Sequence, residues 1–328
     1  MKRIIFVTTD YSYFTLPISQ PLCQFGFKVK VFDYYRPNFI TRLTGWLSNR
    51  GFLPQILPLR LINLSLLQQV HSFRPHYLLV IKGDTLTSQT ISQISNSGVV
   101  TINWFPDWLI SWQWVKTYAP LYTVFINSCY DTFEKLTQLG IKNYYLPYAA
   151  PTSRHRKKLI KKYAVTFIGQ HSPRRERYFK YIADLGLQIW GYDRWRTSSL
   201  THLFNGATSQ AETQTIISRS RIVINILTGT DSFQPTAVNV RTFEALSAGT
   251  FLLVRDHPIL KRHFKVGKEL VTFTTPNDLR HKVKYYLTHS QEREKIALAG
   301  YNRILKDHTF VKRLQELFKI VDQHVAST

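Results

Sequence analysis

Residues 239–254 read Asn239-Val240-Arg241-Thr242-Phe243-Glu244-Ala245-Leu246-Ser247-Ala248-Gly249-Thr250-Phe251-Leu252-Leu253-Val254. Asn239 suits the N-cap of a helix over 239–247, Gly249 ends that helix, and 251–254 is an apolar strand. Ahead of it lie the apolar strand 222–226 and a Gly/Pro/Thr-rich loop over 227–238. Strand, loop, helix and strand in this order form a βαβ unit with parallel strands.

The same rhythm extends outward. Upstream it predicts strands over 165–168 and 187–190, with helices over 175–184 and 211–218. Downstream, helices dominate over 278–287, 291–305 and 310–325. In the first half the predicted strands are 4–7, 27–32, 77–81, 99–104, 123–127 and 144–146. The helices between them cover 16–25, 59–73, a stretch through Ile91 and Ile94, and 131–139 closed by Gly140. Pro147-Tyr148-Ala149-Ala150-Pro151 breaks the pattern, and 154–162 holds six Lys/Arg in nine residues. The expectation is two successive doubly wound parallel-sheet α/β domains, 1–146 and 163–328, joined by a basic linker over 147–162. A length of 328 residues suits two domains at roughly 100–200 residues each. Ligands of such sheets lie beyond the carboxyl ends of the strands, so a cleft between facing domains is the expected site.

Lys and Arg total 43 against 20 Asp and Glu, a formal charge of +23. Charged residues are only 19% of the chain, so the excess reflects scarce acids more than abundant bases. Such a charge suits a polyanionic partner, whether nucleic acid, anionic lipid or a phosphorylated small molecule. Cys23 and Cys129 cannot build a disulfide framework, and no Cys/His zinc spacing is present. The apolar run after Met1-Lys2-Arg3 is too short for a signal peptide, and no run approaches a membrane span. The expectation is a reduced, cytoplasmic protein, with peripheral contact at the inner membrane face left open.

Several loops can carry chemistry. Gly169-Gln170-His171-Ser172 follows a strand and precedes Pro173-Arg174-Arg175. A glycine there lets backbone approach a phosphate, while helix amides and the adjacent arginines, Arg174 and Arg175, favour an anion; the alternative is an ordinary turn with solvated arginines. Asn239, Arg241 and Glu244 open the next helix, where Arg241 can neutralise a diphosphate and Glu244 can accept from vicinal hydroxyls. Alternatively, Arg241 and Glu244 form an i, i+3 surface pair. In the first half, Asp84 and Asp107 follow strands and are candidate bases for an acceptor hydroxyl, or else helix caps. Asp107 lies among Trp104, Trp108, Trp112 and Trp114, which are either sugar platforms or core. His257 with His263, and His71 with His76, lack metal-ligand spacing.

The stretch from Asn239 to Leu253 resembles the signature of CgeB-like (spore-maturation-type) glycosyltransferases, within the glycosyltransferase group 1 families of GT-B fold. Phe264, Gly267, Glu269, Leu270, Phe273, Asp278-Leu279 and Tyr285-Tyr286-Leu287 continue the pattern. So do Ile296-Ala297, Ala299-Gly300, His308-Thr309, Arg313, the strand and loop over 165–169, and Trp190-Gly191. The likeness covers most of 147–320; the first 146 residues match in architecture alone. It implies two Rossmann-like domains facing a cleft and sugar transfer from a nucleoside-diphosphate sugar held by the second domain. The glutamate at the position of Glu244 would contact the nucleotide ribose. An earlier glutamate of related enzymes, which contacts the donor sugar, is Thr236 here. The sequence contains no D-x-D, by which another glycosyltransferase class holds a metal-bound diphosphate, and a metal-independent site without cofactor is the expectation.

The implied acceptor is a glycan, lipid or protein. A basic, non-catalytic α/β protein that binds nucleic acid or a membrane surface is the alternative. No helix-turn-helix, RNA-recognition motif or zinc finger is recognisable. The segment 39–52, with Leu43, Trp46 and Leu47 at helical spacing between Arg42 and Arg50, can dock on anionic lipid or pack as core.

Overall fold

The computed structural model describes residues 1–8, 13–34, 46–48, 50, 56–107, 112–150, 159–227 and 236–327. The loop after the first strand, Leu43, Trp108, most of the basic linker and most of the loop over 227–238 lie outside the described residues.

The chain divides into two compact units, Met1–Pro147 with Phe310–Thr328, and Tyr148–Thr309. In the first, β1 (Arg3–Thr8), β2 (Lys28–Asp33), β3 (Tyr77–Ile81), β4 (Val100–Phe105), β5 (Val124–Asn127) and β6 (Tyr144–Tyr145) form a parallel sheet in the order β2-β1-β3-β4-β5-β6. The helices between them are α1 (Thr15–Gln24), α2 (Ile56–Phe73), α3 (Ser88–Asn96), α4 (Trp112–Tyr118) and α5 (Tyr130–Gln138). β3 is buried at every position and β1 from Ile4 onward, which is why these strands read as unbroken apolar runs rather than alternating ones.

The second unit holds β7 (Tyr163–Ile168), β8 (Leu187–Trp190), β9 (Ser220–Asn225), β10 (Phe251–Arg255) and β11 (Val271–Phe273), parallel in the order β11-β10-β9-β7-β8. Its helices are α6 (Pro173–Lys180), α7 (Gln210–Ser218), α8 (Val240–Ser247), α9 (Pro258–His263), α10 (Pro276–Thr288) and α11 (Ser290–Asp307). The helix predicted over 175–184 is shorter than expected. It stops at Lys180, and the chain turns through a 3-10 segment, Ala183–Leu185, into Gly186 at φ 74°.

The last helix, α12 (Phe310–Ala326), belongs to the first unit, whereas the sequence reading assigns 163–328 to the second. Its buried stripe Phe310, Leu314, Leu317 and Val321 explains this. Phe310 packs edge-on against Phe14 and Trp104, and Phe318 stacks on Phe27 at 4.9 Å.

Each sheet reverses winding direction once: between β1 and β3 in the first unit, and between β7 and β9 in the second. At such a reversal the flanking connections leave on opposite faces and open a crevice at the carboxyl ends of the strands.

Candidate functional site

The second unit's reversal point is built around Arg175. Ser172 caps α6 by accepting from the Arg175 amide, and Pro173 fills the first turn, where no donor is needed. The Arg175 side chain, 5% exposed, then reaches across the crevice. Its Nη1 donates to the Gln170 carbonyl at 2.7 Å, while Nε and Nη2 donate to the Ile226 carbonyl at 3.2 and 2.7 Å. One guanidinium thus joins the loop after β7 to the end of β9. Its partners here are main-chain carbonyls rather than carboxylates. Burial, then the charges of Arg174 and Arg241, pull its pKa down to about 10. Arg174 is also buried. Guanidinium charge is therefore concentrated where an anion would relieve it.

α8 forms the other wall. Asn239 is its N-cap, as expected, accepting from the Thr242 amide. Buried Asn225, at the end of β9, fixes that cap by donating to Asn239 Oδ1 at 2.7 Å and to Thr242 Oγ1 at 2.9 Å. One turn on, Arg241 Nη1 meets Glu244 Oε2 at 2.6 Å. This i, i+3 pair is not a solvated surface pair, because Glu244 is only 2% exposed. Glu244 Oε1 also accepts from Gln210 Nε2 at 2.8 Å and Gln214 Nε2 at 3.0 Å, both on α7. The carboxylate therefore orients Arg241 and ties α7 to α8. Thr236 is half-buried just ahead of α8.

Gly169 plays a different part from the one expected. Its amide donates to the Trp190 carbonyl at 2.9 Å, and its carbonyl accepts from Trp195 Nε1 at 2.9 Å. With both backbone groups committed, its amide does not face a phosphate. A Cβ on the neighbouring Gly191, at φ 151°, would overlap the Gly169 carbonyl oxygen. The two glycines let the ends of β7 and β8 close on each other. Beside them His171 Nε2 lies 2.7 Å from Glu176 Oε2, and Glu176 Oε1 accepts from the Ser199 amide and hydroxyl. The Ser199 and His171 hydrogen bonds pull the Glu176 pKa down to about 2.

In the first unit Asp84 and Asp107 converge on one residue. Lys82 Nζ lies 3.2 Å from Asp84 Oδ2 and 3.0 Å from Asp107 Oδ2, with all three side chains about one-third exposed. Lys82 adopts φ 64°, a left-handed conformation unusual for a residue with a Cβ. Burial alone would lower its pKa, but Asp107 and then Asp84 outweigh that and raise it. The helix-cap alternative fails for Asp84, since Thr87 is the N-cap of α3. Trp104 is core, 2% exposed, with its indole N–H bonded to Ser128 Oγ and the Leu146 carbonyl. Trp114 stacks between Phe105 and Tyr118.

His257 caps α9, and His76 accepts from the Arg3 amide. Among the described residues no group of three or more His, Cys, Asp or Glu is placed to hold a metal ion.

The structure thus gathers Gln170, Arg174, Asn239, Arg241 and Glu244 around one crevice and sets Gly169 to its side. The sequence reading missed Asn225, Gln210 and Gln214 as site residues, and it placed Arg175 and Lys82 in candidate loops without giving either a role of its own. Only the adjacent arginines and the i, i+4 glutamines carried a local signal.

A family model described as glycosyl transferase-like matches residues 174–319. No curated protein matches the chain by sequence. Among solved structures, sucrose-phosphate synthase from Thermosynechococcus elongatus is similar over 100% of both chains, with TM-score 0.68 at 9% identity. A glycosyltransferase from Rickettsia africae has TM-score 0.64 at 10% identity, covering 100% of this chain and 99% of that one. Anabaena HepE in complex with UDP-glucose has TM-score 0.63 at 12% identity, covering 98% of this chain and 100% of that one. At these identities the likeness to solved structures concerns the fold, which is GT-B. Taken with the family match, the chain is an enzyme of the glycosyltransferase class.

Proposed function

We propose that the protein transfers a sugar from a nucleoside-diphosphate sugar to a hydroxyl of a glycan, lipid or protein acceptor, as a CgeB-like enzyme. The subgroup assignment rests on the 239–253 signature. The observation that carries the donor reading is the clustering of Arg174, Arg175 and Arg241 at the reversal point of the second sheet, beside the N-terminus of α8. As the bond from the anomeric carbon to the phosphate oxygen breaks, the leaving diphosphate takes the electron pair. Guanidinium groups and the α8 dipole stabilise that charge without reorganising. The acceptor oxygen forms the new bond to the anomeric carbon and yields its proton to a carboxylate. Asp107 and Asp84, held in place by Lys82, are assigned that role. Thr236 is assigned to the donor sugar, and Glu244 acts on the ribose side chiefly by fixing Arg241.

Titration calorimetry with a nucleoside-diphosphate panel tests the donor reading, starting from UDP because HepE is complexed with UDP-glucose. Wild type should bind one member, and Arg241→Ala should weaken it about tenfold or more, the scale of a lost charge-assisted hydrogen bond. Absence of binding across the panel, or equal binding by the variant, refutes it.

A further inference from the structure

We infer that the outward face of α2, with Trp46 and Arg50, docks on an anionic membrane surface; this goes beyond the donor reading and does not depend on it. α2 buries Ile62, Leu66 and Val70 against the first sheet. At 100° per residue, Leu57, Arg60, Leu61, Leu64, Gln68 and His71 fall on the opposite side. A surface helix of a water-soluble protein is polar there. Here Leu64 is 56% exposed, Leu57 and Leu61 are half-buried, and Ile56 at the helix start is 57% exposed. Ten residues earlier in the chain, Trp46 is 49% exposed with the Arg50 guanidinium 4.0 Å above its ring. Trp beside Arg, with exposed Leu and Ile, is the composition of a segment seated at the lipid headgroup level.

Charge selects the occupant. From residue 28 to residue 74 the chain carries Lys28, Lys30, Arg36, Arg42, Arg50, Arg60 and Arg74, against one acid, Asp33. Among the described residues, Arg60 stands on the outward face itself and Arg50 lies against Trp46, so the exposed apolar residues have cations beside them. A partner with an apolar interior and a densely anionic surface matches both features at once, and an anionic bilayer has both. Nucleic acid would match the cations and leave the leucines in water.

The test is co-sedimentation of the full chain with vesicles of phosphatidylcholine, alone or with phosphatidylglycerol added, at low and physiological salt. Wild type should pellet with the phosphatidylglycerol vesicles and remain largely in solution with phosphatidylcholine alone. Leu64→Glu and Arg60→Glu should each lower the partition coefficient about tenfold. Arg194→Glu, the same charge change at an exposed site in the second unit, should leave it within about twofold. Matching urea midpoints for all variants show that folding is not the cause. The inference is overturned if wild type stays in solution with phosphatidylglycerol vesicles, if Leu64→Glu partitions like wild type, or if Arg194→Glu loses as much as Arg60→Glu.

Discussion

Glu244→Gln isolates the contribution of one buried charge. The native carboxylate accepts from Gln210, Gln214 and Arg241 at 2.8, 3.0 and 2.6 Å and is almost wholly buried. The amide substitute keeps one oxygen for the two glutamines but turns an NH2 toward the guanidinium, a donor facing a donor. Breaking a fully buried ion pair costs about 3–5 kcal/mol. The Arg241 side chain is 19% exposed and keeps some solvent access, so about 2–4 kcal/mol is the expected loss. For a domain of this size that lowers the thermal midpoint by roughly 4–16 °C. Differential scanning fluorimetry and urea denaturation would measure it. The double variant Arg241→Met with Glu244→Gln removes the stranded charge as well and should regain most of the stability, while nucleoside-diphosphate binding stays about tenfold or more weaker than wild type. A single variant as stable as wild type, or a double variant no better than the single one, would refute this account of Glu244.

Three further outcomes follow from the geometry. Glu176 has its pKa depressed to about 2 from 4.5, so its contribution to stability is present above about pH 4.5 and vanishes as pH falls through 2. Glu176→Gln should lower the urea midpoint at pH 7 and flatten its loss across that window, so that variant and wild type converge as pH falls toward 2. Gly191→Ala drives a methyl into the Gly169 carbonyl and should cost more than about 3 kcal/mol or prevent folding, measured as soluble yield and thermal midpoint. Lys82→Gly relieves a left-handed backbone worth about 1–2 kcal/mol and loses two ion pairs, each about one-third exposed and worth about 0–1 kcal/mol. Its urea midpoint should hold or rise while transfer activity falls, and a clear drop in stability would contradict this weighing of the terms.

The strands were the most legible part of the chain, because doubly buried parallel strands must be apolar throughout and nothing else in the sequence looks like 4–7, 77–81 or 222–226. Asn239 was legible too, since a cap is a local matter of one side chain and one amide. Arg175 was not. An arginine pair at a helix start reads either as an anion site or as solvated side chains, and only the third dimension shows one of them turned inward onto the Ile226 carbonyl, 51 residues away. The Glu244 partners come from a helix 30 and 34 positions earlier, beyond any local pattern. Lys82 violates the preference for glycine at positive φ, so propensity argued against the conformation that sets it between Asp84 and Asp107. The allegiance of α12 was hidden because its apolar stripe shows that it packs, not on what.

The return of α12 to the first unit makes residues 148–309 an insertion. Ala150 pairs with Thr309, and the Ala150 amide bonds the His308 carbonyl at 2.8 Å, so the inserted piece enters and leaves through neighbouring strands of chain. On the ribosome the inserted module can finish before its host, whose core lacks Phe310, Leu314 and Leu317 until the last helix emerges. A nascent chain paused at residue 309 would expose Phe14, Phe27 and Trp104 where α12 belongs, leaving the earlier-born half the later to mature.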